Sequence, residues 1–83
     1  MSWNYRVIER NYDGEPSFQI HEVYYDDNDN MKSWSKEPIA PAGGTVKELR
    51  GDLMMMRRAL ASPVLTETAD DTLEATKEVN NNG

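Results

Sequence analysis

The densest group of side chains able to do chemistry is the run Asp26-Asp27-Asn28-Asp29-Asn30, followed by Glu37. Asp26, Asn28 and Asn30 stand at positions 1, 3 and 5 of a calcium-loop pattern, and Glu37 falls at position 12, the place of the bidentate carboxylate. Alternating oxygen donors of this kind suit a hard cation. Position 6, however, needs glycine for its sharp turn and is Met31, and position 8 is Ser33 instead of an aliphatic residue. The flanks also read as strands, so the run is expected to be an Asx-rich turn that holds no metal. His21-Glu22 is the only imidazole beside a carboxylate, yet neighbours in a strand point to opposite faces and cannot serve one substrate. With one histidine, no cysteine, no glycine-rich phosphate loop and no serine in a nucleophile turn, a complete catalytic constellation would have to come from carboxylates alone. The expectation is a protein that is not an enzyme and carries no cofactor.

The elements that would position these groups are strands. Trp3 to Tyr12 alternates, with Trp3, Tyr5 and Val7 on one face and Asn4, Arg6, Ile8 and Arg10 on the other. Asp13-Gly14 makes the turn and Glu15-Pro16 extends the loop. Phe18 to Tyr25 is the second strand, with Phe18, Ile20 and Tyr24 on one side and Val23 and Tyr25 on the other. Met31 to Lys36 returns around Trp34 as an edge strand guarded by Lys32 and Lys36. Pro38-Ile39-Ala40-Pro41 matches PxxP, but it reads as the rigid part of an extended connector over Glu37 to Gly44.

Thr45-Val46-Lys47-Glu48 fits a capping box: the Thr45 hydroxyl accepts from the Glu48 N–H, and the Glu48 carboxylate reaches back to the Thr45 N–H. It opens a helix to Leu60 in which Val46, Leu49, Leu53, Met56 and Leu60 form one apolar stripe, expected to be the core face. Met54 and Met55 fall off that stripe beside Gly51 and Arg58. Ser62-Pro63 stops the helix, and Val64-Leu65 folds back on the core edge.

The chain has 83 residues, which allows one domain of modest core, and no cysteine. No apolar run is long enough to cross a bilayer and the N-terminus lacks the regions of a signal peptide, so a cytoplasmic location is the default. The net charge of −6 is uneven: residues 1–65 carry eight Lys/Arg and ten Asp/Glu, whereas residues 66–83 set Lys77 against Glu67, Asp70, Asp71, Glu74 and Glu78. Acidity of this degree disfavours direct nucleic acid binding and membrane association. Residues 66–83, with Leu73 and Val79 as their large aliphatics, are expected to form a disordered acidic tail after a single domain at 1–65.

Asn4-Tyr5-Arg6-Val7, Ile20-His21-Glu22-Val23-Tyr24-Tyr25-Asp26, Ser33-Trp34, Pro38, Pro41, Leu49, Leu53 and Ala59-Leu60 through Pro63-Val64-Leu65 resemble a family of short bacterial and phage hypothetical proteins. The resemblance spans roughly residues 3–65 and implies no catalytic or binding residue. Gly43-Gly44-Thr45-Val46-Lys47-Glu48-Leu49 is similar to the step into the helix of the HicB-type antitoxin core, though the Pro-Gly-Cys-type segment and a DNA-binding extension are missing. That likeness implies a β-β-β-α arrangement.

The reading is an α+β fold: a three-stranded antiparallel β-meander packed on one C-terminal α-helix, then the acidic tail. With one helix to cover the sheet, the other sheet face is expected to leave tyrosines exposed. Function is expected to lie in binding another protein or in self-association as a homodimer, with Met54, Met55, Arg58, Tyr12 and Tyr25 as candidate contacts. The alternative is an acidic phage or mobile-element inhibitor, or an antitoxin-like regulator, acting by nucleic-acid mimicry or on a basic partner.

Overall fold

The computed structural model describes residues 2–68 and 72–75. Strands β1 (Ser2–Tyr12) and β2 (Glu15–Tyr25) form a long antiparallel hairpin in which Tyr12 faces Glu15 and Ser2 faces Tyr25. The turn is tighter than expected, because Asp13 and Gly14 both take positive φ, 53° and 87°, the pairing that matches the twist of a two-residue hairpin. Asn11 Oδ1 accepts from the Gly14 N–H at 2.8 Å. Glu15-Pro16 therefore lies in the strand instead of the loop. In a hairpin closed this way, odd-numbered β2 residues bond to β1 and even-numbered ones aim their backbone groups outward. The Glu22 and Ile20 carbonyls accordingly accept from the Ser35 and Ile39 N–H groups at 2.9 and 2.8 Å. Pro16, also even-numbered, lacks its donor on the side where β1 needs none.

Strand β3 (Met31–Trp34) pairs with the end of β2 through a bulge at Tyr24/Tyr25. After the extended connector, Thr45 caps α1 (Val46–Arg58) with its Oγ1, which accepts from the Glu48 N–H at 3.1 Å. The return arm of the box lands one residue early, with Glu48 Oε1 accepting from the Gly44 N–H at 2.9 Å. Gly43 is required here: a Cβ would sit 2.5 Å from the Leu49 nitrogen and 2.7 Å from the Glu48 carbonyl carbon. A 3₁₀ turn over Ala59–Ala61 ends the helix.

Two short strands correct the meander. β4 (Leu65–Glu67) runs parallel to β1, with Ile8 opposite Leu65, and β5 (Leu73–Ala75) pairs antiparallel to β4. The sheet is five-stranded and mixed, in the order β3-β2-β1-β4-β5. The tail expected to be disordered from residue 66 thus contributes strand residues at Thr66, Glu67 and Leu73–Ala75, while its remaining positions 69–71 and 76–83 lie outside the described residues. Leu73 is buried with Ile8, Val23 and Leu65 in a cluster on one sheet face, against which Tyr25 and Trp34 pack. The second face is therefore not a bare surface of tyrosines. Arg10 bridges it to β4 through Glu67 at 2.7 Å, and Arg6 Nη2 donates to the Pro63 carbonyl at 2.8 Å.

The other face holds Tyr5, Val7, Met56 and Ala59, with Ile20, Ile39 and Val64 packed against them. The helix lies on this face but is rolled away from its expected orientation. Of the stripe, only Met56 is buried, at 5 % exposure, and Leu49 is half-buried; Val46, Leu53 and Leu60 are 72, 48 and 72 % exposed. The cause is Asp52, about 100° around the helix from Leu53. Its Oδ1 accepts from the Tyr5 hydroxyl at 2.6 Å and its Oδ2 from the Ala42 N–H at 2.9 Å, which turns Asp52 toward the sheet and the stripe toward its rim.

Candidate interaction surface

The roll of α1 leaves a groove between the helix and the connector. Leu53, Met56, Arg57 and Leu60 form one wall, Pro38, Ile39 and Pro41 the other, and Gln19 and Ile20 of β2 the floor of a wide, largely open depression of about 490 Å³. The connector is held as a wall by the Ile39 bond to β2 and by Ala42 on Asp52, and its prolines stiffen it. Phe18, two residues before Ile20 on the same face of β2, is also exposed.

The five contact residues expected from sequence do not share one surface. Met54 and Met55 are 58 and 41 % exposed and Tyr12 is 48 % exposed. Met55 and Arg58 come together in a cleft of about 190 Å³ with Asn4, Tyr5 and Ser62. Met54 stands on the outer flank of α1 instead. Tyr12 closes the β1–β2 turn, and Tyr25 is half-buried, its hydroxyl donating to Asn4 Oδ1 at 2.8 Å and accepting from Arg6 Nη1 at 3.3 Å. Sequence reasoning missed Val46, Leu53 and Leu60 by assigning them to the core. A signal was present: Val46, Leu49, Leu53, Met54, Met55 and Met56 cover too much of one short helix to be buried against one sheet.

The groups singled out for chemistry are engaged otherwise. Asp26 Oδ1 accepts from the Asn28 and Asn30 N–H groups at 2.8 and 3.0 Å, an Asx turn that holds this carboxyl below its usual range. Among the described residues no three His, Cys, Asp or Glu side chains gather as metal ligands. His21 is fully buried, its Nδ1 2.9 Å from the Ser35 carbonyl, which assigns the proton to that nitrogen. Its Nε2 is buried and has no partner among the described residues. Burial is the main reason its pKa lies below the ordinary histidine value. On the α1 side, the Tyr24 hydroxyl donates to Glu22, which raises the Tyr24 pKa. Tyr5 is pushed up to about 12, first by its bond to Asp52 and then by burial, and the same bond lowers Asp52.

A second, polar cleft of about 290 Å³ lies on the far sheet face among Arg10, Lys32, Ser33, Trp34, Lys36 and Glu67. Arg10 is already committed there, to Glu67 and to the Lys36 carbonyl. No helix of the described residues is long and apolar enough to cross a membrane. Comparison with protein-family models, curated proteins and solved structures gives no match.

Proposed function

We propose that the chain is a non-catalytic protein-interaction module whose contact surface is the outward face of α1 with the groove beside it. The observation that carries this reading is the exposure of Val46, Leu53 and Met54 on α1 and of Leu60 on the 3₁₀ turn after it, next to an apolar groove walled by Ile39, Pro38 and Pro41. Isolated exposed apolar residues are ordinary on a protein surface, but a contiguous apolar patch set around a concavity is characteristic of binding sites. The surface of interaction is thereby moved from the Met54/Met55 pair toward Leu53 and Leu60, with Met54 at its margin. Removing water from these side chains on docking provides the driving force, at roughly 25 cal/mol per Å² of apolar area covered.

The test is affinity purification from native cells with wild type beside Leu53→Asp/Leu60→Asp, paired with sedimentation of each purified chain. Both positions are exposed, so the variant is expected to keep the wild-type unfolding midpoint while losing a specific partner or a self-associated species. Recovery of the same proteins with both chains, and the same sedimenting mass, would contradict the reading.

A further inference from the structure

Resting on that reading, we infer that the α1 surface is built for an acidic amphipathic segment of another protein. Val46 and Leu53 are one heptad apart on α1 and Leu60 follows at the same spacing on the 3₁₀ turn, all three exposed. Arg50 and Arg57 run beside that line, within about 80° of it around the helix, whereas Lys47 lies on the outer side of α1 and Arg58 on the flank with Met55. The two acids of the helix are turned away from this surface. Glu48 caps the Gly44 N–H, and both Asp52 oxygens are taken by Tyr5 and Ala42. Among the described residues no carboxylate pairs with Lys47, Arg50, Arg57 or Arg58.

A cationic, apolar face thus stands on a chain whose net charge is −6. Local charge opposite in sign to that of the whole molecule fits electrostatic complementarity toward an acidic partner. A helix laid along α1 would place apolar residues at i, i+3, i+4 and i+7 into the groove between Leu53/Leu60 and Ile39/Pro41, and its flanking carboxylates at Arg50 and Arg57. A second copy fits less well, since two-fold packing about Leu53 sets Arg50 and Arg57 against the same arginines. An anionic bilayer also fits less well: outside residues 46–61 the chain carries five Lys/Arg against thirteen Asp/Glu.

The experiment is selection of a displayed library of helical peptides on the intact chain, with apolar residues fixed at i, i+3, i+4 and i+7 and the other positions drawn from Glu, Lys, Ser and Ala. On wild type the enriched pool should become net negative, and its synthesised members should bind at least about tenfold more weakly to Leu53→Asp or in high salt. On Arg50→Glu/Arg57→Glu the enriched pool should change sign to net positive. Circular dichroism of each variant confirms the fold. Enrichment without charge bias, or a pool unchanged on Arg50→Glu/Arg57→Glu, overturns the acidic partner while leaving a protein-binding groove. Flotation of the chain with phosphatidylglycerol vesicles, unopposed by the peptides, overturns it in favour of a membrane. Absence of any enrichment, together with a monomer in sedimentation, overturns this inference and the interaction module alike.

Discussion

Tyr5 and Asp52 form the contact that decides which side of α1 is seen from outside. The hydroxyl of a buried tyrosine needs an acceptor, and a carboxylate on the helix that also takes the Ala42 N–H satisfies two donors at once. Their ionisation makes the contact visible. Because the folded pKa of Tyr5 is raised to about 12, its contribution to stability is complete below the ordinary tyrosine value of about 10 and is lost as pH rises from there toward 12. For Asp52 the shift is downward, so its contribution is present above the unfolded value of about 3.9 and is lost as pH falls through the folded one. Absorbance titration at alkaline pH should show a tyrosine ionising near 12 that disappears in Tyr5→Phe, and the alkaline fall in the denaturation midpoint should shrink with it. His21 behaves in the acid direction. Its lowered folded pKa means that stability drops as pH goes below the unfolded value of about 6.5, and His21→Gln should remove that slope from urea titrations.

At the scale of elements, glycines on either side of the helix start are expected to respond with opposite sign. Gly43→Ala drives a Cβ into the backbone of the first turn of α1 and should destabilise by about 1–3 kcal/mol. Gly51→Ala meets nothing within 4 Å on the exposed side of the helix and should stabilise by about 1 kcal/mol. Thermal unfolding of both variants checks the pair. The long elements were legible for physical reasons: eleven-residue strands show several cycles of alternation, and a capping box marks a helix start by side-chain chemistry. The roll of α1 was not legible, because it depends on two hydrogen bonds to Asp52, one of them from Tyr5, 47 positions away. Nor were β4 and β5, three residues each, too short for a period of two to show and written in Thr and Glu around Leu65 and Leu73.

For the molecule as a whole, the two sheet faces carry separate cores, and the short C-terminal strands complete the one away from α1. Leu73→Ala should therefore cost about 2–4 kcal/mol, measured by chemical denaturation, and a chain ending at residue 65 should fail to fold cooperatively. A small domain has little stability to lose. Despite that, α1 and the 3₁₀ turn after it offer Val46, Leu53 and Leu60 to solvent while Asp52 on the sheet side keeps its two donors. An apolar stripe traded for a fixed polar contact makes sense if the stripe is covered by something else. The most direct measurement is photo-crosslinking in native cells, with a benzophenone residue placed at Leu53, at Leu60 or, as a control, at Asn28 on the β2–β3 turn. A discrete protein adduct from positions 53 and 60 that is absent from position 28 is the predicted result; no adduct from either helix position, or the same adducts from all three, would contradict the account.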